Sequence, residues 1–237
     1  MKPAPFEYVA VADWPEAFRE LQVDGAQILA GGQTLIPLMN QRLVRPKRLV
    51  DISGIHGVIQ RREGVLRIDA TVRQAALERS TLVAAGWPLL AQAVRHVGHP
   101  ATRSRGTVGG SVVHADPRAE LPCAFAALDA RPIVAGPRDV LIAIEVPPLP
   151  DGAKTAFAEY ARTSGDFADA GVAVVLAPGH AAIAVLGAGR ATAAETALRE
   201  GAADDAVAEL AAGVVEGDHR RALVAELTRR ALTEING

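Results

Sequence analysis

An apolar run, Gln27-Ile28-Leu29-Ala30, leads straight into two adjacent glycines, Gly31-Gly32, and then into Gln33-Thr34-Leu35. A short apolar run bounded by turn signals reads as a buried strand. Paired glycines at its end permit positive φ and let another group approach the backbone closely. Successive N–H groups in such a turn can receive an anionic oxygen, and Thr34 adds a hydroxyl donor. An ordinary tight turn is the plainer alternative. A second glycine pair, in Thr107-Val108-Gly109-Gly110-Ser111, follows Arg103, Arg105 and Gly106 and repeats the same chemistry. Two such turns in one chain suit a diphosphate, whose two phosphoryl groups need several donors.

The surrounding pattern predicts a small α/β unit. Strands are expected at 7–11, 27–30 and 49–52. A helix is expected at 14–21, with Asp13 as N-cap and Pro15 in its first turn, and a helical turn within 33–43. Strands at 58–61 and 65–68 flank Glu63-Gly64, a hairpin turn. Thr71 is placed to cap a helix over 72–79, with Gln74 completing a capping box. Pro88 opens a helix over 89–97 that Gly98 ends. Residues 99–122 show little regular pattern and are rich in Gly, Thr, Ser, Arg, His and Asp, so a site is expected there. Strands follow at 141–146, 157–161, 171–176 and 182–186, and helices at 193–199 and 219–232.

Charge is unevenly distributed. Residues 1–110 carry 14 Lys/Arg against 9 Asp/Glu, and the remainder 11 against 18. A basic first half favours an anionic ligand, although scattered solvated arginines would give the same count. The net charge of −2 argues against bulk nucleic-acid binding. The only cysteine, Cys123, reads as a small core residue and cannot by itself hold an iron–sulfur cluster. No apolar run reaches membrane-spanning length and no signal peptide is evident, so a cytoplasmic location is expected. Gly187-Ala188-Gly189-Arg190-Ala191-Thr192 begins like a dinucleotide fingerprint but has Thr192 where the third glycine belongs. His96, His99, His114, Asp116 and Glu120 match no strong metal pattern, and no metal is expected.

Three segments together carry a resemblance. Residues 29–39 read LAGGQTLIPLM, followed by Arg42-Leu43, Pro46 and Leu49-Val50-Asp51-Ile52. Residues 106–122 read GTVGGSVVHADPRAELP, and residues 162–168 read RTSGDFA. The chain resembles the FAD-binding medium subunits of the xanthine dehydrogenase and aerobic carbon monoxide dehydrogenase family, the molybdenum hydroxylases. The likeness covers nearly the whole chain and weakens after residue 190.

That resemblance implies an α+β chain: a two-subdomain FAD-binding fold of the PCMH/vanillyl-alcohol-oxidase type, then a small C-terminal domain of three-stranded antiparallel sheet and helices. The implied divisions are 1–56, 57–170 and 171–237. It implies a noncovalent FAD, with Leu29, Ala30, Gly31, Gly32, Gln33, Thr34 and Leu35 in the first pyrophosphate loop and Thr107, Gly109, Gly110 and Ser111 in the second. His114 and Asp116 would lie at the cofactor, Asp116 as a polar anchor. Phe167 would lie near the isoalloxazine face, with Asp166 setting its loop. The implied partners are a large subunit holding a molybdenum cofactor and a small subunit holding two [2Fe–2S] clusters, assembled as a dimer of heterotrimers. Electrons would pass through the flavin to NAD⁺, oxygen or another acceptor. No acid or base on this chain is required for that half-reaction.

The chain also departs from the family pattern. Pro132–Ala135 passes through Gly136-Pro137-Arg138 almost directly to Leu141, so the second subdomain is expected to be shortened near 135–140. Two other readings stay open: an assembly subunit with weakened flavin binding, and a stand-alone flavin oxidoreductase.

Overall fold

The computed structural model describes residues 2–237 and contains three sheets. The first is parallel, with β1 (Glu7–Ala10), β2 (Ala26–Leu29) and β3 (Arg48–Asp51) in the order β1-β3-β2. Helix α1 (Trp14–Glu20) crosses between β1 and β2. Its N-cap is Asp13, whose carboxylate accepts the Glu16 N–H at 2.8 Å, as expected. Arg48 on the central strand ties the unit together through Glu7 at 2.6 Å and Glu20 at 2.5 Å. Helix α2 (Leu35–Asn40) follows the first glycine turn.

The second sheet is antiparallel, ordered β4 (Ile59–Arg62), β5 (Val65–Asp69), β7 (Val140–Val146), β6 (Arg131–Ala135). Glu63 and Gly64 turn the β4–β5 hairpin with φ of 50° and 87°, as the sequence predicted. Six short helices connect β5 to β6: α3 (Gln74–Arg79), α4 (Thr81–Gly86), α5 (Pro88–Val94), α6 (Pro100–Arg105), α7 (Val108–His114) and α8 (Glu120–Ala127). The β6–β7 connection is tight, and its tip docks on the first unit. Arg138 donates to the Ala26 carbonyl at 3.1 Å, and a Cβ on Gly136 would meet the Phe18 ring at 2.6 Å. Val140 joins the core of the first unit.

The third sheet is antiparallel, ordered β11 (Gly189–Arg190), β10 (His180–Val185), β9 (Ala170–Ala177), β8 (Lys154–Tyr160). Nearly every residue of β9 and β10 is buried, because both faces of the sheet are covered. Ala173, Val175, Ala182 and Ala184 face the core that includes α5 and α8. Val172, Val174, Ile183 and Val185 face α10 (Asp204–Ala212) and α11 (Asp218–Asn236). Helix α9 (Thr192–Arg199) follows β11.

Several local expectations change. Thr71 caps nothing: the helix begins at Gln74, after an extended Arg73, because the Val72 N–H is taken by Asp69 in a turn. The helix after Pro88 ends at Val94, with turns leading to Gly98 at φ 48°. The 99–122 segment is largely helical. The last sheet has a fourth, two-residue strand beyond the expected three. Gly187 and Gly189 turn β10 into antiparallel β11, which is no dinucleotide fingerprint. Because β8 pairs with β9, we propose that the third unit begins in 147–153, earlier than the division at 170/171 read from the sequence.

Candidate functional site

Strand β2 delivers the chain into the first glycine turn, which ends as α2 begins. Gly32 has φ 71°, a left-handed conformation that suits glycine. Gln33 folds its amide back onto the Gly31 carbonyl at 3.1 Å. Among the described residues, no protein acceptor takes the N–H of Gly31, Gly32, Gln33 or Thr34. Four consecutive donors therefore stand free on a half-exposed turn. Unpaired backbone donors of this kind call for a ligand or water.

The second glycine motif has a different role. Thr107 is the N-cap of α7, and its hydroxyl accepts the Gly110 N–H at 3.0 Å. The Val108 N–H goes to Val72 at 2.8 Å and the Gly109 N–H to Ala70 at 2.9 Å, while Ser111 closes the first helical turn onto Thr107. A Cβ on Gly109 would meet Ala70 at 2.5 Å. These donors are already committed inside the fold, so the motif does not present a row of free amides. It packs α7 against the end of β5.

The two motifs nonetheless meet. A Cβ on Gly31 would lie 2.4 Å from the Arg105 carbonyl oxygen and 2.8 Å from Gly106 Cα. Arg73 donates to that same Arg105 carbonyl, and the Gln74 N–H donates to Gly106 at 2.9 Å. The junction borders a cleft of about 370 Å³ between the first two units, lined in part by Ala30, Ser53, His56, Arg73, Ser80 and Thr107. Arg73 gives the cleft a cation that the sequence reading had not singled out. The paired carbonyl and guanidinium only come together once α3 is docked, so no local motif announces it.

Asp116, His114 and Phe167 gather in a second cluster. The Asp116 carboxylate accepts from the Arg118 backbone at 2.9 Å and from its guanidinium at 3.2 Å through each oxygen. Burial pushes the Asp116 carboxyl upward, but the contacts with Arg118 outweigh this and hold it below the usual range. His114 Nε2 lies 3.8 Å from the same carboxylate. The Arg118 guanidinium sits 4.2 Å from the centre of the Phe167 ring, joining the 116–118 turn to the 162–169 loop. Phe167 is 51% exposed and thus free to meet another flat group. Asp166 is exposed, and its N–H closes a turn onto Thr163 at 3.1 Å. Gly165 of that loop presses on His99, whose ring would lie 2.2 Å from an added Cβ.

Residues 4–147 match the family described as the FAD binding domain in molybdopterin dehydrogenase. This chain belongs to the FAD-binding medium subunits of the molybdenum hydroxylase family. The medium subunit is 37% identical over 203 residues to the 6-hydroxypseudooxynicotine dehydrogenase complex subunit alpha of Paenarthrobacter nicotinovorans, covering 74% of this chain and 68% of that one. It is 29% identical to the carbon monoxide dehydrogenase medium chain of Hydrogenophaga pseudoflava over 98% of this chain and 97% of the other. The solved carbon monoxide dehydrogenase of that organism superposes with a TM-score of 0.93 at 30% identity, covering 99% of this chain and 98% of that one. Quinoline 2-oxidoreductase from Pseudomonas putida 86 gives 0.87 at 30% identity, with 99% and 98% covered. The medium subunit thus has the α+β, PCMH-type fold with an added C-terminal sheet and helices, and is homologous to subunits of oxidoreductase complexes.

Cys123 in this medium subunit is buried, with its thiol on the Ala184 carbonyl at 3.4 Å, and burial pushes it up to about 12. Among the described residues no group of three or more His, Cys, Asp or Glu side chains is arranged to hold a metal ion, and no helix is long and apolar enough to cross a membrane.

Proposed function

We propose that this medium subunit holds one noncovalent FAD across the junction of its two glycine motifs and passes electrons through it. The observation that carries the reading is the 31–34 turn, whose four free N–H groups stand where Gly31 abuts Arg105 and Gly106. Those donors fit the pyrophosphate, and Thr34 adds its hydroxyl. Leu29, Ala30 and Leu35 fix the turn between β2 and α2. Arg73 at the cleft supplies positive charge toward the diphosphate. Thr107, Gly109, Gly110 and Ser111 set the opposing wall by anchoring α7. Phe167 offers its ring to the isoalloxazine, with Arg118, Asp116, His114 and Asp166 holding the loops around it. Bound flavin supplies the conversion between one-electron and two-electron transfer.

The relatives act in dehydrogenase and hydroxylase complexes, which supports partners of the kind the sequence implied. These are a large molybdenum-cofactor subunit and a small subunit with [2Fe–2S] clusters, arranged as a dimer of heterotrimers in the cytoplasm. The final acceptor is NAD⁺, oxygen or another oxidant. A visible absorption spectrum of the purified protein tests the reading. One FAD per chain, released intact on denaturation, is the expected result. A colourless protein that binds no added FAD yet assembles with such partners would replace it with the assembly role, which the committed amides of the second motif would then explain.

A further inference from the structure

The glycine motif of residues 187–190, which binds no dinucleotide, bears instead on both ends of α8. Gly187 has φ 69°, and a Cβ there would lie 2.8 Å from the Pro117 carbonyl oxygen and 3.0 Å from Pro117 Cβ. Pro117 belongs to the turn that leads into α8. Three residues later, Arg190 reaches the opposite end of the same helix. Its Nη1 donates to the Asp129 carboxylate at 2.6 Å and to the Ala126 carbonyl at 3.3 Å. Ala126 lies in the last turn of α8, and Asp129 follows it with a left-handed φ of 51°.

The motif has little freedom of its own. β10 and β11 pair through Val185 with Gly189 and Ala184 with Arg190. Leu186 is buried, its N–H bonds the Gly171 carbonyl at 3.0 Å, and its own carbonyl accepts Arg220 Nη2 of α11 at 2.6 Å. That same Nη2 would lie 3.2 Å from a Cβ on Gly187. Buried Glu195 on α9 pairs with the Arg190 guanidinium and also accepts the Ile183 N–H at 2.9 Å. A fork of donors with several fixed acceptors holds one geometry rather than a range of them.

What this grip sets is the seat of Arg118. Asp116 binds the Arg118 guanidinium through both oxygens at 3.2 Å, so the side chain travels with the turn. The guanidinium sits over the Phe167 ring, and the Phe167 loop joins β8 to β9 of the third sheet. Both halves of that contact therefore take their position from the third sheet, Phe167 through its strands and Arg118 through Gly187. We propose that Gly187 and Arg190 are positioning residues for the candidate flavin face: they clamp α8 at both ends and fix the 116–118 turn where Arg118 meets Phe167. The consequence for a flavin rests on the FAD reading, whereas the seat of Arg118 does not.

Hydrogen exchange of the full chain, and visible circular dichroism of the FAD-loaded chain, read these two parts separately. Gly187→Ala is expected to displace the turn from Phe167. Losing an exposed contact of this kind, worth about 0.5–1 kcal/mol, speeds exchange across 162–169 about two- to fivefold. Arg190→Lys keeps a charge beside Glu195, but one ammonium cannot serve Asp129 and Ala126 as well. It is expected to act in the same direction, and it decides the point should Gly187→Ala not fold. Arg229→Met breaks an exposed network with Asp205 and Glu209 between α10 and α11 and is expected to leave 162–169 unchanged. Unaltered exchange in the folded clamp variants, or an equal rise in Arg229→Met, overturns the positioning role. With FAD bound, the flavin bands are expected to shift in the clamp variants at unchanged FAD stoichiometry. Bound FAD with unmoved bands overturns the link to the flavin face. An unaltered chain that binds no FAD is registered separately as failure of the functional reading, and the exchange result stands without it.

Discussion

A Cβ on Gly31 would come within 2.4 Å of the Arg105 carbonyl oxygen, so this glycine marks where the first unit closes on the second. Backbone on the far side cannot swing away as a flexible side chain would. Gly31→Ala is therefore expected to push the junction apart, at a cost of about 1–3 kcal/mol. Urea unfolding measures the loss, and FAD occupancy of the purified protein is expected to fall with it. Full stability with full occupancy would show that the two motifs do not need this contact.

Gly32 poses a different constraint. Its φ of 71° costs a non-glycine residue about 1–2 kcal/mol, while the space around it is less crowded, with Ile36 at 3.1 Å. Gly32→Val is expected to re-orient the free N–H groups of the turn and abolish flavin retention while leaving much of the fold. Equilibrium dialysis against FAD, alongside circular dichroism, separates the two effects. Unchanged FAD stoichiometry in a folded variant would remove the turn from the binding site.

Gly109 should behave unlike Gly32. Its added Cβ would strike Ala70 at 2.5 Å, with Ala70 backbone at 2.8 Å, and its N–H is already bonded. Gly109→Ala is expected to lower stability by about 1–3 kcal/mol without weakening FAD binding per folded molecule. Thermal unfolding with and without FAD provides the check. A variant of normal stability that binds FAD poorly would return Gly109 to a direct cofactor role.

The contrast between these glycines shows what a sequence can and cannot disclose. Strands β2, β9 and β10 were legible because their apolar runs are short and bounded by turn signals. Helices α6 and α7 were not, since their Thr-, Ser-, Gly- and His-bearing sequences have weak intrinsic helix preference, and α8 carries Pro122 in its first turn. Contacts made elsewhere hold them, such as Val108 N–H on Val72. Helix α10 was missed although Asp204 and Asp205 mark its first turn, because its alanines give no sharp periodicity. Thr71 showed the reverse error: a correct capping pair of residue types, with the helix starting two residues later than expected. Both glycine motifs were legible as motifs. That one keeps its amides free and the other spends them depends on Val72 and Ala70, which no spacing rule connects to them. Arg73, Arg118 and Glu159 acquire their roles only through partners distant in the chain.

Arg118 and Phe167 allow a test of the cluster around the candidate ring site. Removing the ring by Phe167→Ala is expected to alter flavin reduction rate and absorption spectrum more than occupancy, because the free N–H groups proposed to retain the cofactor lie elsewhere. Arg118→Met should loosen the 162–169 loop by losing a contact worth about 0.5–1 kcal/mol at an exposed site. Limited proteolysis and stopped-flow reduction of the loaded protein follow these changes. An unaltered spectrum and rate in Phe167→Ala would place the flavin ring away from Phe167.

Glu120 gives the chain a pH dependence whose sign is fixed by its burial. Its carboxyl rises from 4.5 to about 7 on folding. Below about 4.5 both folded and unfolded chains carry the proton. Between there and about 7 the unfolded chain loses it while the folded chain keeps it, so stability falls as pH rises and levels off above that range. A shift of this size corresponds to roughly 3 kcal/mol. The His96 shift has the same sign: the hydrogen bond to Glu159, against the opposing effect of burial, holds its imidazole above the ordinary value, and that stabilisation is lost as pH climbs through it. Glu120→Gln keeps the shape of the protonated acid and cannot ionise, so it is expected to be more stable than the unaltered chain at pH 8 and nearly equal to it at pH 4.5. Chemical denaturation across pH 4.5–8 measures the difference, and a variant that is less stable at pH 8 would mean that the ionised carboxylate, rather than the protonated one, is what the fold holds.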